Sequence, residues 1–247
     1  VGEGADELFV GYKSWQLMHV LQGMPSVSLN AVARLVSTQH ISERLDDYSK
    51  RRKMGHPIYV SNSEGFTDAG IARIMRGHSI GEVRDVLHST IQPFYDDFKA
   101  SPLKKSNTCW MSFIELKIRL PELLLMRVDK MTMSRSIEVR VPFLDQDLIE
   151  ATLAYNSKQK FTSIVNKKIL KKKFSDVLPR ELLQRKKQGF GVRLDVLKNN
   201  YTQTNISNSK INKFLEPVEF KQIMQGNDQP RKWYLENLSS WYEKKFG

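Results

Sequence analysis

Gly2-Glu3-Gly4-Ala5-Asp6-Glu7 places three carboxylates and two glycines in six residues, and Leu8, Phe9 and Tyr12 follow at once. Such a run reads as a tight turn leading into an amphipathic helix. Glycines let a backbone approach a ligand closely, and the first turn of a helix offers free N–H groups to an anion. Carboxylates in the same turn repel a bare phosphate but can hold the magnesium that accompanies one. The combination points to a magnesium–pyrophosphate or nucleotide site. A plainer reading fits the same residues, because acids in a first helical turn also favour the helix dipole.

Two other constellations carry charge at suggestive spacing. The first runs from Leu120-Pro121-Glu122 through Arg127-Val128-Asp129-Lys130-Met131 to Glu138-Val139-Arg140-Val141-Pro142-Phe143-Leu144-Asp145. On a helix, Arg127, Lys130 and Ser134 share a face, while Leu123, Met126 and Met133 can face a core. Arg127 with Asp129, and Glu138 with Arg140, read as ion pairs pinning a buried helix and the turn after it. The second is Arg185-Lys186-Lys187-Gln188-Gly189-Phe190-Gly191. Two glycines beside a basic cluster make a loop that can wrap an anion, and a lysine ammonium is a compact charge suited to phosphate. Pattern alone equally allows a solvated basic turn.

The elements that must position these residues are mainly α-helical. Residues 67–76 begin with the caps Thr67 and Asp68 and stop at Gly77, and a second helix is expected over 80–95. Residues 107–119 read as helix, and Pro121 restarts another through about Ser136. Asp145 is placed to cap a helix running through Ile149 and Leu153. Leu170, Phe174, Val177 and Leu178 recur at helical spacing, as do Tyr234, Leu238, Trp241 and Tyr242. One short extended stretch is expected over 139–143, and loops over 101–106, 61–65 and 199–209.

The 247 residues, 40% of them hydrophobic, can build a real core. No apolar run approaches the ~20 residues needed to cross a bilayer, and the start carries no signal-peptide pattern. Cys109 is the single cysteine, which excludes an intrachain disulfide and a Cys-rich zinc site. Beside Trp110, Met111 and Phe113 it reads as a small buried hydrophobe, and a cytoplasmic setting fits. The five histidines show no metal-ligand spacing. A formal charge of +12 favours anionic partners, but the basic runs, such as Lys50-Arg51-Arg52-Lys53, are dispersed and read mostly as solvated helix faces. No RNA-binding aromatic motif accompanies them, so nucleic acid is not the partner indicated. Because Val1 opens two residues before the best site candidate, a polypeptide continuing upstream is expected, with residues 1–247 as its C-terminal portion.

Together the three segments resemble the C-terminal synthetase region of the glutamine-hydrolysing asparagine synthetase family. Residues 2–12 match its Gly-Glu-Gly-Ala/Ser-Asp-Glu pattern, which ends in Gly-Gly-Tyr. Residues 128–145 match Val-Asp-Arg/Lys-x-Ser/Thr-Met followed by Glu-x-Arg-x-Pro-Phe-Leu-Asp, and residues 185–191 match Arg-x-Lys-x-Gly-Phe-Gly. Residues 20–110 contribute little to the match. The resemblance implies the helical portion of an α/β, adenine-nucleotide alpha-hydrolase-like ATP-pyrophosphatase domain. Its activity would be ATP-dependent activation of a carboxylate, aspartate in the type case, as an acyl-adenylate. Ammonia released from glutamine by an upstream glutaminase domain would then form the amide.

On that resemblance Asp6 would be a magnesium ligand, and Glu3 would orient ammonia or take a proton after its attack. Lys187 would hold the α-phosphate and pyrophosphate oxygens. Gly2 and Gly4 would let the backbone close around the ligand. The chain departs from the pattern at Val10, where a glycine is usual, at Val1 (a usual Ser) and at Arg193 (often Pro). Leu123 and Leu124 stand where many relatives carry Asp, which leaves open an acid other than aspartate, such as a sugar uronate. The family's ATP-gripping Ser-Gly-Gly-x-Asp-Ser loop and its cysteine nucleophile are absent from these residues. The chain alone is therefore expected neither to hydrolyse glutamine nor to adenylate. A third, separate reading is a basic helical module that binds a polyanion.

Overall fold

The computed structural model describes residues 1–162, 165–185 and 209–246. Among them the chain is helical, with no strand and one isolated antiparallel bridge, Met75 to Leu215. Helix α1 is Ala5–Phe9, α2 Lys13–Gly23, α3 Ser26–Leu35 and α4 Gln39–Lys53. They are followed by α5 Asp68–Ile74, α6 Ile80–Ala100 and α7 Asn107–Lys117. A π-helical segment, Leu120–Leu125, leads into α8, Met126–Met133. Then come α9 Gln146–Ala154, α10 Ser157–Lys160, α11 Lys168–Lys173 and α12 Arg180–Gln184. Two helices close the chain, α13 Pro217–Gln225 and α14 Gln229–Phe246.

Local chemistry sets most boundaries. The Thr67 hydroxyl accepts from Gly70 N at 2.9 Å and starts α5. Ser79 and Glu82 form a reciprocal capping box at the start of α6. That helix runs five residues past the expected end at Tyr95. Pro93 sits inside it, but Ile91 and Phe98 continue the buried stripe, and tertiary packing outweighs the lost backbone bond. Asp145 caps α9 as expected, accepting from Leu148 N at 3.2 Å.

Helix α7 is the centre of the molecule. Thr108 to Ser112, Ile114 and Glu115 are all buried, the mark of a helix covered on every side. Val10, Trp15, Tyr59, Ile91, Phe98, Leu153 and Phe161 pack around it. Cys109 is buried there and its thiol is pushed up by burial, as the reading of a small hydrophobe requires. A second apolar cluster joins α3 and α4 through Leu29, Leu45 and Tyr48. A third joins α5 to the last helices through Ile74, Ile223 and Leu235.

Three expectations are corrected. Residues 139–143 form no strand; Pro142–Leu144 is a single 3-10 turn, since no strand among the described residues offers a partner. The helix after Pro121 opens in π geometry rather than α. Arg51 is not on a solvated face. It is 3% exposed and pairs with Asp68 and Glu64, while Arg84 binds Asp47 at 2.8 Å and Asp68 at 3.3 Å. These charges tie α4, α5 and α6 together, as buried ions must when solvent is withdrawn.

Candidate active site

Helix α1 is barely more than one turn and is fixed by its ends. Gly4 adopts φ 89°, and a Cβ there would lie 2.3 Å from Leu144 Cδ2. Only glycine satisfies both the backbone and that packing. At the other end Val10 holds the left-handed conformation, φ 56° and ψ 58°. This is the helix-ending position that glycine usually fills, and for a β-branched residue it is strained. Complete burial of the Val10 side chain in the central core offsets that strain. At Gly11 a Cβ would fall 1.7 Å from Asp6 Oδ1 and 2.4 Å from Lys167 Cε. Gly2 is exposed, with nothing within 4 Å of its Cβ position.

The three adjacent carboxylates have different fates. Glu7 is 1% exposed and accepts from the Tyr12 hydroxyl at 2.5 Å, with Arg119 Nη1 3.7 Å away. Burial raises its pKa above the ordinary carboxylate value, against the lowering effect of Tyr12. Arg119 also binds Glu115, which takes the Tyr59 hydroxyl at 2.7 Å, so Glu7 belongs to a network that locks α1 onto α7. Asp6 turns the other way and is paired with Lys167 Nζ at 2.7 Å, each side chain about one quarter exposed. Glu3 is half-buried in the turn ahead of α1.

Lys167 is itself held in place. It occupies a left-handed conformation, φ 53°, at the start of α11. Its neighbour Asn166 donates to Gly11 O at 3.1 Å and accepts from Gln16, which also donates to Thr162 O at 2.8 Å. Neither Lys167 nor Gly11 was singled out as a site residue from sequence, and Glu7 was noted without its anchoring role. A signal existed for Lys167: a cation at a helix N-terminus opposes the dipole and calls for an anionic partner.

The second constellation meets the first. Leu144 packs on Gly4, Phe143 lies edge-on to Phe9 at 6.1 Å, and Val1 N donates to Arg140 O at 2.8 Å. Its helix, however, is not buried: no residue of α8 is. The Glu138–Arg140 pair forms at 2.7 Å but with both side chains largely exposed, where an ion pair stabilises little. Arg127 and Asp129 make no ion pair among the described residues, because residues two apart on a helix point to different sides. Lys187, with the rest of its glycine loop from 186 onward, lies outside the described residues.

No group of three or more His, Cys, Asp or Glu that could hold a metal occurs among the described residues. The donors present therefore do not form a protein cage for an ion. A single carboxylate, Asp6, does suit a magnesium that keeps most of its shell from phosphate oxygens and water. No described helix is long and apolar enough to cross a membrane.

Comparison with known proteins places this geometry in context. Residues 1–243 match the family model described as asparagine synthase. Asparagine synthetase (glutamine-hydrolysing) 1 of Bacillus subtilis is 26% identical over 196 residues, covering 77% of this chain and 30% of its own length. Putative glutamine-hydrolysing asparagine synthetases of Mycobacterium bovis and Mycobacterium tuberculosis are 27% identical over 203 residues, covering 77% of this chain and 29% of theirs. The chain thus spans less than one third of the length of these curated relatives. No solved structure is significantly similar to it. With almost its whole length matched, the chain belongs to the asparagine synthase family.

Proposed function

We propose that residues 1–247 are the C-terminal part of the synthetase region of an ATP-dependent ligase. It activates a carboxylate, aspartate first among the candidates, as an acyl-adenylate and amidates it with ammonia drawn from glutamine by another domain. The observation that carries the reading is the Asp6–Lys167 pair beside Gly11. A carboxylate and an ammonium 2.7 Å apart, partly open to solvent, present both charges that a metal-bound pyrophosphate needs.

In this reading Lys167 leaves Asp6 for a phosphate oxygen when ligand enters, and Lys187 supplies a second cation. Asp6 would then hold magnesium, which neutralises charge growing on the departing pyrophosphate. Glu3, two residues ahead of α1, accepts the proton lost after ammonia attacks. Gly2 has open space for a ligand to approach its backbone, whereas the Cα of Gly4 is covered by Leu144 and contributes through its peptide groups alone. Glu7 takes no chemical part; it keeps α1 where Asp6 can work.

A second acid is favoured by one feature. Leu123 is 44% exposed and offers nothing to the ammonium of an amino acid, which suits a substrate such as a sugar uronate. Acid-dependent ATP–pyrophosphate exchange by the full-length protein separates the readings. Exchange with aspartate that is lost in Lys187→Ala supports the first, and exchange with a uronate alone supports the second. A folded protein that exchanges with no acid contradicts both.

A further inference from the structure

We infer that a cavity between α2, α4, α6 and α7 is a binding site for a small organic phosphate, separate from the Gly2–Gly11 turn. The cavity is a cleft open to solvent with a volume of about 300 Å³, the small end of the ~300–1,000 Å³ range of ligand sites. Arg52, Lys99 and Lys105 line it, and no Asp or Glu does. Two buried donors in its wall have no hydrogen-bond partner, Gln22 Nε2 and Arg52 Nε, and Gln22 is only 8% exposed. A buried donor without an acceptor destabilises the fold until an acceptor arrives. Both unsatisfied groups are donors, so the missing partner is an acceptor, and beside Arg52, Lys99 and Lys105 an anionic one suits best.

The cations are positioned rather than free to wander. Arg52 Nη2 donates to Gln22 O, which orients the guanidinium. Lys99 Nζ stands over the Tyr95 ring at 4.9 Å, and Lys105 Nζ stands over Phe98 at 5.0 Å while donating to Phe98 O at 2.6 Å. Asp96, which pairs with Lys99 at 2.7 Å, lies outside the lining. Lys105 Nζ also donates to Ser101 O and Ser101 Oγ, so it contributes charge rather than a vacant donor, and Asp96 balances only one of the three cations. A phosphate dianion, with its several acceptor oxygens, can accept from Arg52 and Lys99 and balance the charge of Lys105. Trp110 and Ile58 give the remainder of the cavity an apolar wall for the body of the ligand.

The test is calorimetric titration of the full-length protein with inorganic phosphate, phenyl phosphate and benzoate. Phenyl phosphate should bind one saturable site, weakened tenfold or more by Lys105→Gln and by Lys99→Gln, whose half-exposed side chain can be changed without unfolding. Lys167→Ala should leave that affinity unchanged, which keeps this result independent of the proposed ligase site. Gln22→Leu should weaken binding yet raise the melting temperature without ligand, because it removes the unsatisfied donor. Absence of saturable binding by either phosphate would overturn the proposal. So would binding lost in Lys167→Ala but kept in both lysine-to-glutamine variants, or benzoate binding as tightly as phenyl phosphate.

Discussion

The turn at residues 2–12 and the segment at 121–145 both carry charged patterns, yet one is sunk in the molecule and the other lies largely on its surface. Gly4, Ala5 and Glu7 to Gly11 are buried, and every charge that goes down with them has a partner. Helix α8 has no buried residue, and Met131, Met133 and Ile137 stand more than half exposed. Matching a pattern thus says little about what a residue does. Burial separates charges that hold the fold from charges left available to a ligand, and within α1 the division falls between the neighbours Asp6 and Glu7.

The sharpest test of the buried side is a pH profile. Lys160 is 1% exposed, and burial pulls its pKa down to about 8. Below pH 8 it is charged in both states and the burial cost is full. Between about 8 and 10.5 the unfolded chain keeps a proton that the folded one has released, so stability rises with pH. At roughly 1.4 kcal/mol per unit the gain is about 3 kcal/mol. The raised thiol of Cys109 opposes it from about pH 9, and the raised hydroxyls of Tyr12 and Tyr59 from about pH 10, so the rise is steepest between about 8 and 9. Denaturant titrations should show this rise, and Lys160→Met should flatten it.

Gly11→Ala comes next. Its Cβ cannot coexist with the Asp6–Lys167 pair, and a displacement near 1 Å at a reacting site costs ~100-fold in rate; acid-dependent exchange measures it. At Val10 the usual order should reverse. Val10→Gly and Val10→Ala both lose the buried side chain, but glycine relieves a left-handed strain of roughly 1–2 kcal/mol. The glycine variant should therefore be the more stable of the two in urea melts. The smallest effect belongs to the exposed segment: Glu138→Ala should change stability by no more than ~0.5 kcal/mol, as a solvated pair allows.

What the sequence made legible was local. The Thr67 and Asp145 caps, the start of α6 at Ile80 and the extent of α7 follow from neighbours in the chain, and the mainly α class follows from periodicity. What it hid depends on contacts across the fold. Pro93 argues locally against a long α6, yet Phe98 carries the helix on by packing against Trp110. Arg51 looks like one more basic surface residue until α5 and α6 bring Asp68 and the second arginine to it. In the site, Gly4 and Asp6 stood out by type and spacing. Lys167 did not, since 161 residues separate it from its partner and it sits in a lysine-rich run.

The central claim is that Asp6 serves a ligand and Glu7 serves the fold. Asp6→Asn and Glu7→Ala in the full-length protein, each measured for melting temperature and for acid-dependent ATP–pyrophosphate exchange, test it most directly. Asp6→Asn should keep its melting temperature and lose ~100-fold or more in exchange, the scale of a lost electrostatic group at a reacting centre. Glu7→Ala should lose ~1–3 kcal/mol, since it removes the acceptor of the Tyr12 hydroxyl and leaves Arg119 with Glu115 alone, and so melt several degrees lower. An Asp6→Asn protein that exchanges normally, or a Glu7→Ala protein that melts normally, would contradict the account.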